Sequence, residues 1–405
     1  MSGVTTSTVM RNFLVISDCF PQPDQASGDL RFFTLLSLLA RKHKLLFCAL
    51  NADGTVQPRN DAGARLEQAG IALGEVDLSH VLKHFKPDFV WFEFYHHVRP
   101  DFLGLFERHC PQARIVVDSV DVHFNRLETR ARLTGKLEDV VAASQMKTRE
   151  LAAYASADMV IAVSEDDRQL IQHELPNLPV DVVPNIHAVP PFPDPSQRRY
   201  GELVFVGGFK HEPNVDAMLY FCGEVMPLIT AAHPQARLKI IGSNPPQAIQ
   251  ALASESVEVL GYVPETAPYL ENAYISVAPL RYGGGMKGKV GEAMSYGLPV
   301  VTTTFGAEGF GLQPGKDLLV GETAEGFAAQ VIALLDDADL YSRVARCGYE
   351  FIECHYSVPA VERMLDSSME RLANLPSRKI PLIQRLVTPI QNLYARHVAW
   401  RLPQR

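Results

Sequence analysis

The stretch APLRYGGGMKGKVGEAMSYGLPVVTT, residues 278–303, gathers glycines, two lysines and a glutamate at spacings suited to holding an anion. Gly283, Gly285 and Gly288 spell GxGxxG, and Gly283 to Lys289 spells GxxxxGK, but Val290 stands where a phosphate loop needs Ser or Thr to hold magnesium. The context is a strand, a glycine loop and then a helix that stops at Gly297. Such a loop presents bare backbone N–H groups at a helix N-terminus, where the helix dipole favours negative charge. Lys287 and Lys289 add two cations there, so capture of a phosphate or diphosphate without an obligatory metal is the implied chemistry. Glu292 falls in the first turn, where a carboxylate can accept from two vicinal hydroxyls such as those of a ribose. The competing reading is a structural turn in which Lys289 and Glu292, three apart, form an ordinary surface pair.

A second polar set falls at a strand end. Glu93, His96 and His97 close the run FVWFEFYHH and are candidates to line an acceptor site. Surface or core histidines are the alternative for any of the 13 in the chain. Metal chemistry is not expected. HVLKH at 80–84 lacks the glutamate of HExxH, and Asp337 to Asp339, the one DxD, follows the helical run FAAQVIALL and reads as a helix-end turn. No GxSxG nucleophile elbow is present.

The elements that must position these residues alternate. Apolar runs at 13–17, 45–50, 89–94, 115–120, 159–164 and 180–185 are separated by segments of helical period, and the pattern restarts at 203–208, 238–243, 257–262, 274–280 and 299–304. This is the signature of βαβ units and parallel sheets. Between the halves HAVPPFPDPSQ carries four prolines in eleven residues and reads as a linker. Two doubly wound α/β domains follow, with ligands expected outside the carboxyl ends of the strands. The length of 405 residues suits two or three such units, and an apolar fraction of 47% excludes intrinsic disorder. Six cysteines without a CxxC pair read as reduced thiols of a cytoplasmic protein, and neither a signal peptide nor a membrane span is expected.

At FVGGFKHEPNVDAM (205–218), LKIIGS (238–243), VEVLGYVPETAPYL (257–270), the glycine loop with EAMSYGLPVVTT, and GAEGF (306–310), the sequence resembles the group 1, or family 4, glycosyltransferases. CFPQPDQASGDLRFF at 19–33, DSVDVHFNR at 118–126, ADMVIAVS and VVPN extend the resemblance into the first half. It implies a GT-B fold: two Rossmann-like domains, residues 1–190 for the acceptor and 199–350 for the donor, a linker at 191–198, a central cleft, and a helix at 351–374 returning to the first domain. It also implies a nucleotide-diphosphate sugar donor and no cofactor. The donor-binding set it implies is Gly28, Arg31, Gly208, Lys210, Val263, Gly283, Gly284, Gly285, Met286, Lys287 and Glu292. Catalytic roles fall to His123, Asp121 and Lys289, with Arg126 beside the acceptor candidates. The implied reaction retains anomeric configuration and proceeds without a metal. Gly284 stands where many members have a second glutamate, and Gly208 and Pro213 replace their Arg and Lys. A nucleotide-sugar epimerase or hydrolase on the same fold, or a non-catalytic nucleotide-sugar binding protein, are the alternatives.

The net charge of −8 argues against nucleic-acid binding over the whole surface. It is uneven. From Arg371 onward there are seven Lys and Arg and no acidic residue, which leaves residues 1–370 at −15. The segment 375–405 reads as a basic amphipathic tail that either lies on an anionic membrane, where a lipid-linked glycan acceptor would be found, or packs on the first domain.

Overall fold

In the computed structural model the described residues are 9–23, 27–282 and 286–376. The chain divides into two compact units, 1–184 with 362–405 and 185–361.

In the first unit β1 (Asn12–Ser17), β2 (Lys44–Ala49), β3 (Ala72–Leu73), β4 (Phe89–Glu93), β5 (Arg114–Asp118), β6 (Met159–Ala162) and β7 (Val180–Val182) form one sheet in the order 3-2-1-4-5-6-7. Every pairing is parallel. The central strands are buried on both faces, as the unbroken runs FLVIS and FVWFE require. Strand order reverses between β1 and β4, so the loops after Ser17 and Glu93 open at the switch point.

The second unit repeats the plan. Strands β8 (Glu202–Val206), β9 (Arg237–Ile241), β10 (Val257–Gly261), β11 (Ile275–Ala278), β12 (Val300–Thr302) and β13 (Leu319–Val320) run parallel in the order 10-9-8-11-12-13. The reversal lies between β8 and β11, and the glycine loop follows β11. The expected α/β class and doubly wound plan hold in both units. Unforeseen are β3 and β13, edge strands of two residues each, too short to show a period.

The Pro-rich stretch is no free linker. The units divide at Pro184/Asn185, ahead of it, and it packs within the second unit. Tyr349 Oη donates to the Pro190 carbonyl at 2.9 Å, the Arg346 guanidinium lies 3.6 Å from the Phe192 ring centroid, and buried Arg198 Nη1 donates to the carbonyls of Leu270 and Ala273 at 2.9 and 2.8 Å. Proline suits this path because it needs no ladder N–H. The helix Val358–Asn374 begins in the second unit, and from Glu362 its residues belong to the first. There Lys42 Nζ lies 2.7 Å from both Glu362 and Asp366 carboxylates.

The continuous helical run Glu212–Ala232 is long and apolar enough to cross a membrane by composition alone, which the reading of short apolar runs did not anticipate. Its hydropathy has a local cause, since Ala217, Met218, Phe221, Val225, Met226 and Ile229 are buried in the core of the second unit.

Candidate functional site

In the second unit the carboxyl ends of β8 and β11 bring the sequence-predicted donor residues together. The helix Gly288–Ser295 starts just after the loop, and Lys289 in its first turn points back under β8. Its Nζ donates to Asn214 Oδ1 and lies 4.8 Å from the Phe205 ring centroid. Asn214 Nδ2 in turn donates to the Gly208 carbonyl at 2.7 Å. A Cβ at Gly207 would stand 3.0 Å from Lys289 Nζ, from Asn214 Nδ2 and from Phe205 Cζ, which is why GG and not a larger pair follows β8. Burial, with the Lys287 charge nearby, pushes Lys289 down to about 7. Lys287 is buried, 3.9 Å from the Phe305 ring centroid and 3.7 Å from Glu308. Lys210 and Gly208 are exposed on the loop after β8, and Met286 is partly buried. Gly283, Gly284 and Gly285 lie outside the described residues.

One turn on, Glu292 Oε1 accepts from Thr266 Oγ1 at 2.6 Å, and burial raises its carboxyl above the usual range. Thr266 belongs to the loop after β10, the same loop that carries half-buried Val263. Lys289 and Glu292 therefore do not form the surface pair of the competing reading, because Lys289 bonds Asn214 in the helix Glu212–Tyr220 and Glu292 bonds Thr266 in the loop after β10. Asn214 and Thr266 were missed as individual residues, although PNVDAM and VPETAPYL contain them.

In the first unit the switch point holds the remaining candidates. Asp18, directly after β1, meets both histidines that follow β4: His97 Nε2 lies 2.9 Å from Asp18 Oδ1, and His96 Nε2 contacts Asp18 Oδ2. Burial holds His97 down at about 4. His123 begins the helix His123–Thr134, its ring 5.4 Å from Tyr95 and 6.1 Å from Phe94. Buried Glu150 of the adjacent helix Leu137–Ala155 caps that N-terminus, accepting from the backbone N–H of His123 at 3.1 Å and of Phe124 at 2.8 Å. Nothing in the local sequence marks a cap supplied 27 residues downstream. Arg126 and Asp121 pair at 2.9 Å near the surface. Phe94 and Val120, the residues just beyond the ends of β4 and close after β5, hold φ of 68° and 37°. Such values are costly for bulky and β-branched side chains and cluster where a site fixes its backbone.

Two assignments are overturned. Arg31 does not face a donor: its fully buried guanidinium bonds Asp118 Oδ2 at 2.8 Å and the carbonyls of Val183 and Pro184 at 2.7 to 3.2 Å. With no part of its side chain exposed, the guanidinium is committed to these partners. Replacing Arg31 with Met would strand Asp118 as a buried charge, and we expect a loss of about 3–5 kcal/mol in urea unfolding. Changing exposed Lys210 to Ala should move stability by no more than about 0.5 kcal/mol. Glu93 likewise does not line an open surface. It is buried, accepts from Ser17 Oγ between β1 and β4, and is pushed up to about 8 by burial, with the Asp118 charge adding to the rise. Gly28, in the first turn of the helix Ser27–Ala40, sits with its missing Cβ 3.6 Å from Val120 Cγ1, beside the strained segment.

A groove of about 500 Å³ lies elsewhere, at the amino ends of β6 and β7, lined by Ala157, Asp158, Leu178, Pro179, Leu375 and Pro376 among others. Ligand chemistry in doubly wound sheets sits at the opposite ends.

Residues 201–337, which contain the Lys289–Asn214 and Glu292–Thr266 contacts just described, match the family model of the glycosyl transferases group 1. The likeness to the group 1 glycosyl transferases thus lies in this second domain. A protein of the cps region of Klebsiella pneumoniae is 25% identical over 169 residues, 38% of this chain and 42% of that relative, so the match spans about two fifths of the relative's length. Solved structures extend the likeness in fold across both units. Sucrose-phosphate synthase from Thermosynechococcus elongatus superposes with a TM-score of 0.63 at 14% identity, covering 89% of this chain and 99% of that one. HepE of Anabaena in complex with UDP and glucose gives 0.60 at 11%, covering 89% and 100%. A glycosyltransferase from Rickettsia africae gives 0.64 at 11%, covering 91% and 100%. At these identities the likeness is one of fold, the GT-B fold.

Proposed function

We propose that the protein transfers a sugar from a nucleotide-diphosphate sugar to a hydroxyl of a saccharide or lipid-linked glycan, with retention and without a metal at the phosphates. The observation that carries this reading is the partly buried cation Lys289 at the β8/β11 switch point, one helical turn from a partly buried carboxylate, Glu292, in a domain that matches the group 1 family model. A diphosphate leaving group gathers negative charge as the sugar–phosphate bond breaks. Lys289, Lys287 and the amides at the N-terminus of Gly288–Ser295 would stabilise that charge, preorganised and away from bulk water. Glu292 would hold the ribose hydroxyls, and Val263 would lie along the base. On the acceptor side His123 and Asp121 would orient the reacting hydroxyl, and the leaving phosphate would take its proton. The solved complex of HepE with UDP and glucose, and the cps-region relative, favour a nucleotide-sugar donor and a surface-glycan product.

The test is a thermal-shift screen of nucleoside diphosphates on the full chain, followed by donor turnover with a pool of saccharide and polyprenyl-linked acceptors. One diphosphate should raise Tm in proportion to occupancy, and its sugar should turn over. No stabilising diphosphate and no turnover with any acceptor would sink the proposal. Donor hydrolysis without acceptor should persist in EDTA, since lysines and not an ion meet the phosphates; loss of hydrolysis restored by magnesium or manganese would contradict it.

We further propose a cytoplasmic enzyme held at the anionic membrane face by 375–405. The charge of that segment supports this reading; residues 377–405 lie outside the described residues, and Arg114 Nη1 donates to the Pro376 carbonyl at 2.6 Å just before them. Deleting 377–405 should abolish binding to phosphatidylglycerol vesicles and leave soluble donor hydrolysis intact; undiminished vesicle binding would refute it.

A further inference from the structure

Asp18, His96 and His97 converge although 78 residues separate the first from the second. Their meeting follows from the switch point, since Asp18 continues β1 and the single turn Tyr95–His97 continues its neighbour β4. One ligand atom from each lies within 4.8 Å of the others. The three differ in exposure. The His97 side chain is 7% exposed, whereas Asp18 and His96 are 52% and 40% exposed and form the rim. His97 Nε2 lies 2.9 Å from Asp18 Oδ1 and is a buried ring nitrogen aimed into the cluster, its polar partner there being a half-exposed carboxylate that an ion would share. Stacking of His96 on Phe94, with ring planes at 15°, and the left-handed φ of Phe94 fix the turn that aims both imidazoles the same way.

We propose that Asp18, His96 and His97 form a binding site for a divalent cation of the zinc class. Two imidazoles and one carboxylate are a donor set for zinc, nickel or cobalt, whereas magnesium and calcium prefer oxygen alone. Bonds of roughly 2.0–2.2 Å span at most about 4.4 Å between two ligand atoms, so the exposed Asp18 and His96 side chains would draw in on the ion. Three protein ligands leave coordination positions open on the exposed side, where water or a hydroxyl or carboxylate of a ligand can enter. The site belongs to the first unit and shares no residue with the donor contacts at Lys289 and Glu292, so it stands or falls independently of the proposed transfer.

The experiment is equilibrium dialysis of untagged, EDTA-stripped full-length protein against zinc chloride, with metal counted by mass spectrometry. The same protein loaded with cobalt is read by its visible absorption. Wild type should hold one equivalent. Exposed His96→Ala and Asp18→Asn, with unchanged circular dichroism, should bind roughly tenfold more weakly or worse. His84→Ala should bind as wild type; it breaks the exposed His80 and His84 pair, whose rings lie 4.4 Å apart on another helix. His97→Ala should lose the cobalt spectrum. Absence of stoichiometric zinc in wild type, or full binding by both His96→Ala and Asp18→Asn, would overturn the site, as would loss of binding in His84→Ala alone.

Discussion

Lys289→Met should weaken binding of the cognate nucleoside diphosphate by roughly 10–100-fold, the worth of a charge-assisted hydrogen bond of about 1.5–3 kcal/mol. The side chain sits in the first turn of Gly288–Ser295 on Asn214 and beside Phe205, a pocket that holds a cation at a cost. Its folded pKa of about 7 lies far below the ordinary 10.5. The sign of the pH effect follows. Between pH about 7 and 10.5 the unfolded chain binds the proton that the folded chain has shed, so this residue makes stability rise with pH across that window. Below pH 7 both states are charged and the full cost of the buried ammonium remains. The Tm of Lys289→Met should therefore gain on wild type as pH is lowered from 9.5 to 6. Binding runs the other way, because a diphosphate favours the protonated amine. Wild-type affinity should fall from pH 7 to 9, and Lys289→Met should lose that part of the dependence. Isothermal titration in buffers of different ionisation heat would read the proton uptake. Equal pH profiles for the two proteins would contradict the role given to Lys289.

Glu292→Ala is the second large effect. The carboxylate is partly buried, takes one hydrogen bond from Thr266 Oγ1 at 2.6 Å, and is acceptor-only when ionised, which leaves lone pairs for two hydroxyls. Its removal should lower donor kcat/KM by about 10² or more, since two charge-assisted bonds to a diol are lost. Glu292→Gln keeps the shape and should lose less. The sharper reading comes from the ligand side. Wild type should bind a nucleoside diphosphate more tightly than its 2′,3′-dideoxy counterpart, and Glu292→Ala should bind the two alike. A cycle in which the variant still discriminates would move the ribose contact elsewhere. Thr266→Val should act in the same direction but weakly, because it removes the bond that offsets the burial of Glu292.

These expectations rest on residues that differ in how visible they were in the chain. Long apolar runs announce β1, β4 and β8, because strands buried on both faces need continuous hydrophobic sequence. The two-residue edges Ala72–Leu73 and Leu319–Val320 carry no such signal. The lysines and Glu292 stood out through their glycine-rich setting, but their separation onto Asn214 and Thr266 depends on where the connections after β8 and β10 meet the helix Gly288–Ser295, a property of topology and not of spacing. Arg31 misled for the same reason. An arginine after a glycine near a helix start looks like an anion ligand until Asp118 and the Val183 carbonyl, 87 and 152 residues away, are folded around it. Asp18 with His96 and His97 shows the converse, a grouping no local motif could suggest. The prolines at 190–195 illustrate a third limit: composition separates loop from helix but does not tell a free linker from a packed strap.

The central claim is that this protein cleaves a nucleotide-diphosphate sugar held through Glu292 and Lys289. Its most direct test is release of nucleoside diphosphate from the sugar that the thermal-shift screen selects, followed with time and with acceptor present, for wild type, Glu292→Ala and Lys289→Met at equal circular dichroism. Steady release by wild type, reduced about 10²-fold in Glu292→Ala and at least about tenfold in Lys289→Met, is the predicted result. Wild-type rates retained in both variants, or no release by wild type with any acceptor, would contradict it.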